Sequence, residues 1–116
     1  MDMTRFLKHL LNDRELARMG GRYEGRIVGV TVESMRNKFR ATTAEEPVIV
    51  FEDGWRLVPN YGMRLALIQT FGDESDGWIG RSIIVYRHKV EKTNAQVGEI
   101  AGRWVRRIMF PERELA

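Results

Sequence analysis

One stretch of the 116-residue chain reads unambiguously as helix, Asn60 to Gly72, and nearly everything after Gly20 reads as strand. That imbalance restricts the chain to architectures in which a single helix interrupts a succession of strands. Asn60 can cap a helix, and Met63, Ala66, Leu67, Thr70 and Phe71 follow at spacings that share one helical face, with Leu65 and Ile68 expected to widen it. Gly72 stands where a C-cap needs positive φ, and Asp73-Glu74-Ser75-Asp76-Gly77 is a polar turn. Trp78 and Ile79 then return the chain to the interior as a plug ahead of a strand from Arg81 to His88.

The preceding strands carry their own signals. From Tyr23 to Met35, Val28, Val30 and Val32 alternate with Gly29, Thr31 and Glu33, and Gly25 and Gly29 suggest a bulge or bend. Residues 36–43 read as a mobile basic loop. Pro47 to Phe51 is a second strand, and Asp53-Gly54 predicts a type I′ hairpin into a third, Trp55 to Val58, ended by Pro59. The polar connection from Lys89 to Gln96 leads to a last strand between Ile100 and Phe110, where Trp104 reads as core or rim. Pro111 stops that strand, and the tail from Glu112 to Ala116 is expected to fray.

The expected fold is therefore all-β with one helix: a five-stranded OB-fold (Greek-key) barrel in the order β-β-β-α-β-β, with a short N-terminal helix or turn. A small split α+β sheet is the rival. The expected divisions are a helical lead-in at 1–20, the barrel at 21–111 and a tail at 112–116.

Phe51-Glu52-Asp53-Gly54-Trp55-Arg56-Leu57-Val58-Pro59-Asn60 and Phe71-Gly72-Asp73-Glu74-Ser75-Asp76-Gly77-Trp78-Ile79-Gly80-Arg81 resemble the central block of a family of small phage and prophage OB-fold-like proteins of unassigned function. The resemblance implies a setting in phage DNA metabolism. It carries no catalytic residue.

The chemistry of the residues narrows the function classes. With no cysteine, thiolate catalysis and disulfides are excluded, and a cytoplasmic location is expected. No membrane association and no cofactor are expected. The two histidines, His9 and His88, stand apart from any carboxylate cluster at ligand spacing, no serine lies in a nucleophile motif, and Asn60 to Gly62 lacks a phosphate loop. Asp73 to Gly77 fails as a calcium loop because its twelfth position is Ile84. The chain is not expected to be an enzyme.

Net charge is only +3, but Arg81 to Arg107 carries +5 of it, leaving the remainder at −2. In an OB barrel the ligand groove lies across strands two and three, between the loops joining strands one to two and four to five. Arg36, Lys38, Phe39 and Arg40 fall in the first of those loops, Lys89 and Lys92 in the second, and Trp55 and Arg56 on strand three. Cations interleaved with aromatic rings suit unpaired strands, the former neutralising phosphate and the latter stacking bases. The expected function is therefore binding of single-stranded nucleic acid, DNA in particular. The alternative is a protein-interaction or assembly adaptor that docks through the amphipathic Phe6, Leu7, Leu10 and Leu11.

Overall fold

The computed structural model describes residues 10–37 and 42–115, with the backbone alone at 35–37 and 42–44. Its elements are α1 (Asp13–Arg18), β1 (Arg22–Asn37), β2 (Thr42–Phe51), β3 (Arg56–Leu57), α2 (Tyr61–Phe71), a 3-10 turn (Ser75–Trp78), β4 (Ser82–Lys89), β5 (Trp104–Met109) and a final 3-10 turn (Glu112–Glu114). The strands make one antiparallel five-stranded sheet in the order β3-β2-β1-β4-β5.

Strand β1 holds the sheet together by serving two neighbours. Its first five residues pair with β4, from Arg22 opposite Tyr86 to Arg26 opposite Ser82. From Ile27 onward it pairs with β2, after a register shift between Ile27 and Gly29 that lets Val28 bulge outward. Gly25 permits the turn-over: a Cβ there would lie 2.6 Å from the Tyr23 ring and 2.7 Å from Phe51. Those two rings fill the bend edge to face, 5.1 Å between centroids.

Inward-facing Tyr23, Ile27, Ile49, Phe51, Leu57, Ile83 and Val85 form the core with Trp78, and α2 adds Met63 and Leu67. Leu11 and Leu16 are buried in this same core, so residues 10–18 are packed into the domain. Helix α1 begins at Asn12, whose side chain accepts from Glu15 N–H at 2.8 Å.

Several expectations are revised. The sheet is not closed: among the described residues β3 pairs with no strand but β2, apart from a single parallel bridge between Leu10 and Arg56, and β5 with none but β4. Strand three is only two residues long, because the turn at Gly54 and Pro59 leave no room for a longer ladder. Residues 36–43 are not all loop, since Arg36 pairs with Thr43 and Asn37 with Thr42, and β2 begins five residues before Pro47. The hairpin at Asp53 is a three-residue loop, with Phe51 N–H donating to Trp55 O at 2.8 Å and Gly54 at φ 95°, so it is not type I′. Leu65 and Ile68 lie on the exposed side of α2 beside Tyr61 and do not widen its core face. The last strand starts at Trp104, not Ile100. The tail does not fray through Leu115, because the Glu114 carboxylate accepts from Ser82 N–H at 3.0 Å and faces Arg81.

The open seam between β3 and β5 is bridged by other groups. Leu11 N–H donates to Arg56 O at 2.7 Å, and Arg106 Nη1 donates to Leu11 O at 2.8 Å. Asn60 caps α2 through Oδ1, accepting from Met63 N–H at 2.9 Å, while its Nδ2 donates to Arg106 O at 2.9 Å. Asn60→Asp keeps the cap but sets a carboxylate against the Arg106 carbonyl. Urea denaturation is expected to show a loss of about 1–3 kcal/mol, larger than that of Asn60→Ser.

Candidate nucleic-acid interface

On β4 and β5 the register sorts side chains into two faces. Val85 with Ile108, Arg87 with Arg106 and Lys89 with Trp104 share one face; Ile84 with Met109, Tyr86 with Arg107 and His88 with Val105 share the other. The first face starts in the core and becomes cationic and aromatic as it leaves it. At its outer end Trp104 is 53% exposed, and the Arg87 guanidinium lies over its ring, 4.5 Å from the centroid. Arg87 Nε also donates to Asp13 Oδ1 at 2.7 Å, which ties α1 to this platform.

The connection from Val90 to Arg103 folds back on itself and keeps its bases outside. Val90 is buried, its N–H donating to Arg103 O at 2.9 Å while its O accepts from Gly102 N–H at 2.8 Å. Asn94 and Glu99 exchange two backbone bonds. Thr93 Oγ1 accepts from Ala101 N–H and Asn94 Oδ1 from Gln96 N–H, so these polar side chains shape the loop. Lys89, Lys92 and Arg103 are exposed and, among the described residues, form no ion pair.

Of the other bases between Arg81 and Arg107, Arg81, Arg87 and Arg107 each face a carboxylate, while Arg106 is half-buried. Arg81 faces Glu114 and Arg107 grips Glu99 through Nε at 3.1 Å and Nη2 at 2.5 Å. The Arg107 hydrogen bonds hold the Glu99 carboxyl below its usual range, and Glu99 in turn raises Arg107. Burial lowers the Arg106 guanidinium below its ordinary value, with Asp13 opposing.

The residues expected to bind fall into separate groups. Lys38, Phe39 and Arg40 lie outside the described residues, as do Phe6 and Leu7, and of Arg36 only the backbone is described. Trp55 is half-buried against the core, 6.5 Å edge-on from Tyr23, and Arg56 is half-buried in an ion pair with Glu33. Both side chains are thus engaged within the domain, Trp55 just ahead of β3 and Arg56 on it. Lys89 ends β4 and Lys92 follows it, past the first residue of β1, whereas the Arg36 backbone sits near the last, so the register sets Arg36 and the two lysines at opposite ends of that strand. Of the two places the sequence offers Trp104, core or rim, its exposure excludes the core, and the Arg87 guanidinium lies over its ring. The alternation of Trp104 with Arg106, directly after the exposed Arg103, is the available signal.

No family model matches the chain, and no curated protein or solved structure does either. The interface therefore rests on its own geometry. Among the described residues no group of three or more histidine, aspartate or glutamate side chains could hold a metal ion, and no helix is long and apolar enough to cross a membrane.

A titratable group within the core gives a test of the packing. The Tyr23 hydroxyl donates to Asp53 Oδ1 at 2.6 Å, and burial, with that carboxylate adding to it, raises the phenol far above its ordinary 10.0. The folded chain thus keeps a proton that the unfolded chain releases. Its contribution is complete below pH about 10 and is lost as pH rises beyond it. Urea midpoints are expected to fall more steeply above pH 10 in the parent than in Tyr23→Phe.

Proposed function

We propose that this protein is a non-enzymatic, cytoplasmic binder of single-stranded nucleic acid, DNA in the first instance, built on an OB-type barrel left open along one seam. The strand order β3-β2-β1-β4-β5, the helix between β3 and β4, and a bent first strand shared by two neighbours support that reading of the fold. The phage DNA-metabolism setting implied by the acidic turn and Trp78-Ile79-Gly80 belongs to the same proposal.

The observation that carries it is the Trp104 platform. An indole more than half exposed, backed on one side by the Arg87 guanidinium and flanked by Lys89 across the strand pair, offers a stacking surface beside Lys89, Lys92 and Arg103, which form no ion pair among the described residues. Lys92 and Arg103 extend the positive charge along the connection, whose acids are Glu91 and the Arg107-bound Glu99. Stacking is indifferent to sequence and phosphate neutralisation equally so, hence general affinity for single strands.

A second reading, a protein-contact module, draws on the exposed Tyr61, Leu65 and Ile68 of α2. It no longer draws on Leu11, which the chain's own core buries.

Fluorescence anisotropy with labelled oligo-dT separates the two. Affinity is expected to fall with added salt, and Trp104→Ala to weaken binding by about 1–3 kcal/mol. Lys89→Ala with Lys92→Ala is expected to flatten the salt slope by about 1.4, at roughly 0.7 per phosphate contact. Absence of binding at low salt overturns the proposal and leaves the protein-contact reading.

A further inference from the structure

Beside Trp104 lies a cavity of about 290 Å³, bounded by Asp13, Asn60, Val97, Glu99, Trp104 and Arg106. A second cavity of about 260 Å³ adjoins it, sharing Asn60, Val97, Glu99 and Arg106 and reaching Met63 and Ala66 of α2. Both follow the edge of β5 that no strand covers. We infer that the cavity beside Trp104 is a base pocket with a preference for guanine, in which Arg106 meets O6 and N7 while the Asp13 carboxylate meets N1–H and N2–H. This rests on the single-strand reading above and specifies what that surface selects.

The charges of the cavity decide against an anion. Asp13 and Glu99 both border it, and two carboxylates would repel a phosphate. A neutral ring carrying donors and acceptors has no such conflict. Arg106 is half-buried and, among the described residues, forms no ion pair; its bond from Nη1 to Leu11 O anchors the guanidinium without satisfying its other N–H groups. Burial holds its proton less firmly than usual, the sign of a desolvated cation that gains from an acceptor. Asp13 is half-exposed, and Oδ2 remains beside the Oδ1 that takes Arg87.

Guanine is the base whose edges fit this pair. It presents two adjacent acceptors, which arginine matches with two parallel N–H groups, and next to them N–H donors for a carboxylate. Adenine offers a donor where Arg106 would need its second acceptor. Cytosine could meet both charges, but its single ring covers less of the Trp104 indole than a purine does. Trp104 lines the pocket and so supplies the stacking wall.

Anisotropy with four labelled pentanucleotides, TTGTT, TTATT, TTCTT and TTTTT, tests the assignment. TTGTT is expected to bind about tenfold more tightly than TTTTT, a ratio within the discrimination of one bidentate pair. Replacing its guanine by 7-deazaguanine, which lacks N7, or by inosine, which lacks the N2 amino group, is expected to remove most of that advantage. In Asp13→Asn the ratio of TTGTT to TTTTT is expected to fall several-fold, with TTTTT on the same variant as reference, the Arg106 pair alone remaining. Equal affinity for all four strands, or a preference for TTCTT or TTATT, overturns the guanine pocket and leaves the single-strand reading in place. Failure of every strand to bind overturns that reading itself.

Discussion

The structure depends on how it manages a seam it cannot close with strands. β3 has two residues, and neither it nor β5 has a strand partner on its outer side among the described residues. Three hydrogen bonds take the place of a ladder: Leu11 N–H to Arg56 O, Arg106 Nη1 to Leu11 O, and Asn60 Nδ2 to Arg106 O. Each satisfies a backbone group that would otherwise stay unpaired at the edge. Because one of the three donors is a guanidinium, the repair draws a cation partly into the interior. The cavities along β5 lie where a fifth pairing, of β5 with β3, would have run, so the seam and the proposed pocket have one cause.

Electrostatics follow from the same packing. Counted along the chain, the segment from Arg81 to Arg107 is the strongest concentration of positive charge. In three dimensions Asp13 reaches Arg87, Glu114 reaches Arg81, and Glu99 takes both available arms of Arg107. Exposed pairs of this kind add little to stability, typically under about 1 kcal/mol each. Their consequence is spatial: among the described residues they leave Lys89, Lys92 and Arg103 as the bases of that segment without an ion pair or burial. A broad positive stretch in sequence thus becomes a small positive corner beside one exposed indole.

The features legible in the sequence are those set by near neighbours. Helix α2 is bounded by Asn60 and Gly72, whose capping chemistry acts within four residues, and both ends match. Gly25 and Gly29 mark the bend and bulge because a missing Cβ is a local property. Helix α1 does not stand out in the sequence, although Asn12 with Glu15 three residues on is a start signal; six residues give too little periodicity against the lead-in. The outer face of α2 misleads because Leu65 and Ile68 are apolar, and burial is decided by which sheet edge the helix meets. Trp55 and Arg56 have the right chemistry for a ligand face, yet Tyr23 and Glu33, more than twenty residues away, claim them. No linear pattern encodes those partners.

The position of Asp13 sets what the platform can do. Leu11 and Leu16, on either side of it, are both buried in the core, and the Asn12 cap fixes the turn between them. Its carboxylate is therefore held against Arg87 by two hydrophobic anchors, not carried on a loose end. A phosphate approaching Arg87 must compete with that built-in anion, and the bases without such a partner, Lys89, Lys92 and Arg103, meet no such competition. Arg87 serves the ring instead, since its guanidinium lies over the indole and the Asp13 bond keeps it there. The same carboxylate borders the cavity next to Trp104, so one small helix, packed by two leucines, brings the platform and the pocket under a single geometric constraint.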